Sequence, residues 1–316
     1  ALLRARGASS ELVALYRRRV DVTFNQREQR QLLSRIIDIS RNVLGDRTTA
    51  IRTAEELLDL IPDDLPTIEL LAEMYGEGSE PSDHESLEQI LGRWAELSRD
   101  GELRRRLMVR RAALRMQFLG DAFGAVDLLG QVLGEDPDDA QARRLLEELL
   151  EIAEVQLPAC ALLEPIYKRH GNHEGRIRIL HARRAHAEEI GSVDEAVTHL
   201  LEIARLREQE LQDPTTAFDV MREAFAMDVR RRDTREHVER LGLVLGRPGD
   251  LVEVWRSGLA GDTVLDRAQQ IDFTQRIAVL LDERLRDQEA ARRAYAELLS
   301  LDPPDAGLAR RAVEAL

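Results

Sequence analysis

Residues 44–46 read Leu-Gly-Asp, and this short junction returns three more times along the 316-residue chain. The later copies are Leu119-Gly120-Asp121, Leu211-Gln212-Asp213 and Leu285-Arg286-Asp287. An aspartate at such a position ends one helix and caps the next. Its carboxylate accepts hydrogen bonds from otherwise unpaired first-turn amides, and its charge complements the helix dipole. The four copies therefore predict four equivalent helical hairpins.

The similarity between copies extends over both helices of each hairpin. An alanine follows every junction aspartate by four residues, at Ala50, Ala125, Ala217 and Ala291. A large apolar residue follows by twelve, at Leu58, Leu133, Phe225 and Leu299. Nine residues before each aspartate stands a buried-type residue, at Ile37, Ala112, Ala204 and Ala278. Small residues beside large ones at helical spacing are typical of closely packed helices.

The spacing between junctions predicts the domain organisation. Successive aspartates are 75, 92 and 74 residues apart, so the period is about 74 residues and the middle interval holds about 18 more. A unit of that length accommodates four helices, and one extra helix near 140–165 accounts for the excess. We expect a single continuous array with a mobile loop over 76–83, since that stretch has few apolar residues. The predicted units are 8–78, 82–156, 157–246 and 247–316.

The last copy carries a family resemblance. The segment from Asp287 to Pro303 resembles the second helix of a tetratricopeptide repeat, with Ala291, Tyr295 and Pro303 at matching positions. Leu298 is larger than that pattern expects, and the first-helix tryptophan and glycine of the family are not evident, so the repeats are degenerate. The resemblance implies an all-α fold, a right-handed α-solenoid (superhelix) of antiparallel helix hairpins whose concave face grips peptides or partner domains.

The ends of the sequence indicate a segment of a longer array, because the chain begins at Ala1 without a methionine and reaches Leu316 inside a helical pattern. Hydrophobic residues make up 43% of the chain and charged residues 33%, a balance that favours helix. The formal net charge of −14 disfavours nucleic acid, because a negative field repels phosphates. The sequence contains no run of about 18 apolar residues, so we do not expect it to insert into a membrane. Composition leaves the compartment open, with the cytoplasm slightly favoured over the periplasm or envelope.

The single cysteine and the two tryptophans are expected in the apolar core. Cys160 lies in an apolar run, and a single cysteine excludes an internal disulfide. Trp94 and Trp255 stand among apolar neighbours in helical stretches, which favours packing over contact with a partner. We therefore expect all three side chains to be structural.

Catalytic and metal-binding patterns are weak. His170 and His173 flank a predicted turn and His181 follows on the next helix, so a three-imidazole site is one interpretation and a solvated turn with incidental histidines is the other. Glycine-rich phosphate loops and nucleophile elbows do not occur in the sequence. We predict no enzyme activity, no cofactor and no metal.

Arginine clusters provide the predicted partner-binding residues. Arg104, Arg111 and Arg115 fall near one stripe of a predicted helix, and Arg176 and Arg183 belong to a second cluster. First helices line the concave face in tetratricopeptide arrays, where guanidinium groups could hold the carboxylates of an acidic peptide. The alternative is that these arginines pair with glutamates and aspartates of adjacent helices.

The functional prediction is a non-catalytic scaffold or adaptor that binds a partner protein or peptide, possibly an acidic one. An alternative is a self-assembling element that stacks end to end through its terminal repeats, and an enzyme or metal binder is the weakest alternative. The two leading hypotheses share one fold, so the structure has to show which surfaces are available.

Overall fold

Helices account for all of the regular structure in the computed structural model, which describes residues 2–261, 263–301, 303 and 306–315. Ala1 and Leu316, the two ends of the predicted array, lie outside these residues. Across the described ranges there are seventeen α-helices and no strand. The helices are α1 (Leu2–Val22), α2 (Gln26–Asp38), α3 (Arg47–Leu60), α4 (Leu65–Gly76), α5 (Pro81–Leu97), α6 (Gly101–Leu114), α7 (Ala122–Glu135), α8 (Ala140–Leu149), α9 (Ala153–His170), α10 (His173–Glu189), α11 (Val193–Arg205), α12 (Pro214–Met227), α13 (Arg232–Val244), α14 (Pro248–Ala260), α15 (Arg267–Val279), α16 (Gln288–Ser300) and α17 (Ala306–Ala315).

The chain forms two compact units, Ala1–Leu163 and Glu164–Leu316, and the division falls inside α9. In the first unit each of the helices α1 to α8 packs on the next one in sequence. The second unit repeats this arrangement from α10 to α17. Helices joined by such short connections turn back on each other, so each unit is a helical solenoid built from antiparallel hairpins.

The four predicted junctions share a distinctive backbone. Each preceding helix ends in a π-helical turn, at Ile39–Leu44, Arg115–Leu119, Leu206–Glu210 and Leu280–Leu285. The residue before each aspartate has a left-handed backbone, with φ of 68° at Gly45, 64° at Gly120, 52° at Gln212 and 54° at Arg286. The aspartate amide then donates to a carbonyl six residues back, at 2.8 to 3.0 Å. This closure satisfies carbonyls that would otherwise lack partners at the helix end.

The predicted capping role of the four aspartates is confirmed. Each side chain accepts a hydrogen bond from the amide three residues later. The pairs are Asp46 with Thr49 (3.0 Å), Asp121 with Gly124 (2.8 Å), Asp213 with Thr216 (3.0 Å) and Asp287 with Ala290 (3.0 Å). The alanines four residues after the junctions are all buried, and so are the residues nine before them. The sequence repeat is therefore a repeat of packed hairpins.

The middle interval holds five helices where the intervals on either side hold four. Helices α4, α8 and α13 each begin 19 residues after a junction aspartate, and α5, α10 and α14 each begin 39 or 40 residues before the next one. This correspondence leaves α9, with its 18 residues, as the additional helix. Helix α9 spans Ala153–His170, whereas the range near 140–165 also contains α8 (Ala140–Leu149).

The loop predicted over 76–83 is shorter than expected. Helix α4 ends at Gly76 and α5 begins at Pro81, so only four residues lie outside helices. The Arg47 guanidinium donates to the Met74 carbonyl and pairs with Asp83 at 2.6 Å, while Glu80 and Asp83 form a capping box. The connection is thus held at both ends by side chains, which the low apolar content of the segment did not reveal.

The core of the second unit is organised around an aromatic cluster. Trp255 is completely buried, and its ring lies 5.3 Å from those of Phe225 and Phe273. Gly258 allows this approach, because a Cβ atom there would lie 2.8 Å from the Phe225 ring. The expected burial of Trp255 and Cys160 is confirmed, whereas Trp94 is only half-buried.

Candidate functional site

Arg111 and Arg115, two of the predicted binding residues, converge on one buried carboxylate of the neighbouring helix. Arg111 donates from Nε (3.0 Å) and Nη2 (2.8 Å) to Glu88 Oε1, and Arg115 donates from Nε (2.9 Å) to the same oxygen. Only 11% of the Glu88 side chain is exposed. Gly92 lets the Arg111 guanidinium lie against α5, since a Cβ atom there would lie 3.0 Å from Arg111 Cζ. These two arginines therefore join α6 to α5.

Arg104 does not share this carboxylate, although helical spacing places it near the same stripe. Its Nη2 pairs with Glu135 at 2.9 Å, at the end of α7. In the second unit Arg176 pairs with Glu202 of α11 at 3.0 Å, and Arg183 pairs with Glu164 of α9 at 2.6 Å. All five arginines thus hold carboxylates of other helices, which is the alternative interpretation of the clusters.

The histidines predicted as a conceivable metal site do not assemble into one. Across the described part of the chain no group of three His, Cys, Asp or Glu side chains is arranged to hold a metal ion. The His173 Nε2 atom lies 3.7 Å from a Glu210 carboxylate oxygen. Burial lowers the pKa of His181, which favours its neutral form. The solvated-turn interpretation fits this geometry better.

A groove between α13 and α15 is a second candidate surface for a ligand. Two cavities of about 420 and 310 Å³ lie along it, and both are lined by Asp272 and Arg276 at its middle. Arg276 donates to Asp272 at 3.0 Å and also pairs with Glu239 across the groove. Arg235 of α13 reaches Asp272 at 3.5 Å. A network of ion pairs between the two helices therefore crosses the centre of the groove.

One end of the groove is apolar with charged groups at its rim. Leu243, Val279 and Leu280 line the 310 Å³ cavity, and Leu243 is 40% exposed. Glu283 and Arg284 also line it, and neither forms an ion pair with any residue that the structure describes. Exposed apolar surface beside charged groups that lack partners is a typical site for a protein partner.

Ion pairs also join α13 to the π-helical turn Leu206–Glu210, which ends α11. Glu208 accepts from Arg240 at 2.6 and 2.7 Å and lies 3.1 Å from His237 Nε2. The hydrogen bonds from Arg240 lower the pKa of Glu208 to about 2, since they stabilise the charged carboxylate. His237 and Arg240 therefore hold α13 to this turn, while Arg235 and Glu239 of the same helix form the ion pairs of the groove.

This groove could not be recognised from the sequence. Asp272 and Arg276 stand at the four-residue spacing that places both on one helix face, and Leu243-Val244 is an apolar pair at the end of a polar helix. Those signals were present, but similar pairs occur on many helices of this chain. Only the ion pairs that reach Asp272 and Arg276 from α13 distinguish them.

Comparison with known proteins finds only distant structural similarity among the solved structures described below. No protein-family profile matches the sequence, and no curated protein matches it. Solved structures do: a tetratricopeptide repeat protein from Parabacteroides merdae is 13% identical, with a TM-score of 0.33 over 74% of this chain and 91% of that one. The P58(IPK) TPR domain is 14% identical, with a TM-score of 0.28 over 99% and 84% of the two chains. A thermophilic TPR protein from Thermus thermophilus is 19% identical, with a TM-score of 0.24 over 67% and 98%.

These scores are low, so the assignment rests on the chain's own hairpins, with their capped junctions, buried alanines and sequential packing. The chain is an all-α repeat protein built from such hairpins. None of the helices that the structure describes is long and apolar enough to cross a membrane.

Proposed function

We propose that this tetratricopeptide-like protein is a non-catalytic scaffold that binds a segment of a partner protein in the groove between α13 and α15. The observation that carries the proposal is the apolar end of that groove, where Leu243 and Val279 lie beside Glu283 and Arg284. Helical repeats generally present such surfaces to protein partners, and affinity comes from a few apolar anchors surrounded by polar groups.

The arginines predicted from sequence remain a second, weaker proposal for partner contact. A partner that used Arg111 or Arg115 would have to displace Glu88, which is buried, and so would leave a carboxylate without its counter-charges. Arg104, Arg176 and Arg183 are likewise engaged in ion pairs. A partner at the apolar end of the groove breaks no ion pair, and this difference favours the groove.

Selection of a random peptide library on the immobilised protein tests the proposal. Selected peptides are then titrated by calorimetry into the wild-type protein and into a Leu243→Glu variant, which places a charge at the apolar end of the groove. Val244→Glu is the matched control, because Val244 is 71% exposed, adjacent in sequence and absent from the cavity lining.

We expect Leu243→Glu to weaken binding by about tenfold or more, since burying a charge against an apolar ligand is costly. Val244→Glu should bind as the wild type does. Equal binding by all three proteins, or an equal loss in both variants, would place the partner elsewhere.

A further inference from the structure

A long run of negative charge lies in α3, α4 and α5 of the first unit. Residues 53–92 contain twelve aspartates and glutamates and neither a lysine nor an arginine. Six of these acids form ion pairs with arginines from outside the run, namely Glu56, Asp64, Glu73, Glu77, Asp83 and Glu88. The other six have no ion-pair partner among the residues that the structure describes, and they are Glu55, Asp59, Asp63, Glu69, Glu80 and Glu85. Part of this charge is therefore not matched within the described structure.

Two of the unpaired acids line a groove between α3 and α5. Both helices pack on α4, and a hollow of about 490 Å³ is lined by residues of all three helices. Glu55 and Asp59 stand on the α3 wall, four residues apart and hence on one face of that helix. Arg47 and Asp83 join the beginnings of α3 and α5 at 2.6 Å. The two walls of the groove are therefore tied together at one end.

The floor of the groove is apolar and positions one of these carboxylates. Leu58, Leu71 and Tyr75 line the hollow, and all three are buried. The Tyr75 hydroxyl donates to Glu55 Oε1 at 2.6 Å. Burial raises the pKa of this hydroxyl, so it remains a hydrogen-bond donor at neutral pH. Glu55 is therefore held against the wall of the groove by one oxygen, which leaves its other oxygen for a ligand.

Acidic residues at these two positions occur only in the first copy of the repeat. Nine residues after the junction aspartate, the other copies have Gly130, Arg222 and Ala296. Thirteen residues after it, they have Gly134, Ala226 and Ser300. The packing of the hairpin therefore does not require the two acids. Like charges four residues apart also destabilise a helix, and a cation in the groove would relieve that repulsion.

We propose that the groove between α3 and α5 binds an arginine side chain of a basic segment in a partner protein. A guanidinium group has donors enough to reach both carboxylates, and its alkyl stem packs on the apolar floor. Arg93 also lines the groove, so the lining has one arginine against two acids and stays negative. The surrounding acids of the run add to the attraction and speed the encounter with a basic segment.

The same lining disfavours other occupants. An acidic peptide would bring a further negative charge to Glu55 and Asp59, in a chain whose net charge is already −14. An apolar segment would cover both carboxylates without offering them a donor, which is costly. The groove between α13 and α15 belongs to the other unit and shares no residue with this one, so the two proposals concern separate surfaces.

Titration of the whole chain with the peptide acetyl-Leu-Arg-Leu-amide, followed by saturation-transfer NMR, tests this inference. The control peptide has citrulline in place of arginine, which keeps the shape of the side chain and removes its charge. We expect the arginine peptide to bind and the citrulline peptide to bind about tenfold or more weakly, because the charged contacts are lost. Absence of binding by the arginine peptide at millimolar concentration, or equal binding by both peptides, would overturn the inference.

Two double variants with the same change of net charge locate the binding. Glu55→Gln combined with Asp59→Asn should weaken binding of the arginine peptide about tenfold or more, since both anionic contacts are removed. Asp63→Asn combined with Glu69→Gln is the control, because both residues are exposed acids of the same run outside the lining. Its effect should stay below about threefold at physiological salt, where exposed charges are screened.

The helical circular-dichroism spectrum should be retained in both double variants, since the replaced side chains are exposed. An equal loss of binding in the two would show attraction to the total negative charge and would overturn the site. Leu243→Glu, the variant that tests the groove between α13 and α15, should bind the arginine peptide as the wild type does, so the two proposals fail separately.

Discussion

Replacing Glu88 with glutamine should destabilise the first unit through a single carboxylate. In the structure one oxygen, Glu88 Oε1, accepts three hydrogen bonds from Arg111 and Arg115, at 2.8 to 3.0 Å. Glu88→Gln keeps the size of the side chain and removes its charge. The two guanidinium groups would then face each other across a neutral amide that can satisfy only part of their donors.

The magnitude follows from burial and screening. Removing one partner of a fully buried ion pair costs about 3–5 kcal/mol, because the remaining charge stays desolvated. Arg111 and Arg115 are 19% and 25% exposed, so water recovers part of that cost, and Arg115 keeps a second partner in Asp121 at 3.1 Å. We therefore expect the free energy of unfolding to fall by about 2–3 kcal/mol.

Urea unfolding followed by far-ultraviolet circular dichroism measures the change. Glu85→Gln is the control, because Glu85 is an exposed glutamate of the same helix and makes no ion pair in the described structure; its effect should stay within about 0.5 kcal/mol. A double-mutant cycle with Arg111→Met isolates the coupling between the two side chains. If Glu88→Gln were no more destabilising than the control, the carboxylate would not be what joins α6 to α5.

Three further predictions concern stability. Gly258→Ala should lower the free energy of unfolding by about 1–3 kcal/mol in thermal or urea melts, because the added Cβ atom would lie 2.8 Å from the Phe225 ring. Asp213→Ala should cost about 1 kcal/mol in the same assay, since the first turn of α12 loses its cap. Glu208 has a pKa of about 2 in the folded protein against 4.5 when unfolded, so its contribution is complete above the higher value and is lost as the pH falls toward the lower one. Solvent around the partly exposed Arg240 and Glu208 side chains limits that contribution to about 1 kcal/mol. Glu208→Gln should therefore flatten this part of the stability–pH profile.

The hairpins could be predicted from sequence because their signals are local. An aspartate that caps α3 needs only the amide of Thr49, three residues away, and Ala50 is small because the helices approach closely there. Such requirements recur at fixed distances in every copy. Local signals of this kind were therefore enough to identify the junctions and the buried positions from the sequence.

The partners of the arginines could not be predicted, because a long side chain chooses among several acids by tertiary geometry. Arg104 and Arg111 lie near one stripe of α6, yet the first reaches α7 and the second reaches α5. The groove between α13 and α15 was missed for the same reason. Its residues come from two helices whose proximity is a property of the packing, and no spacing within either helix records it.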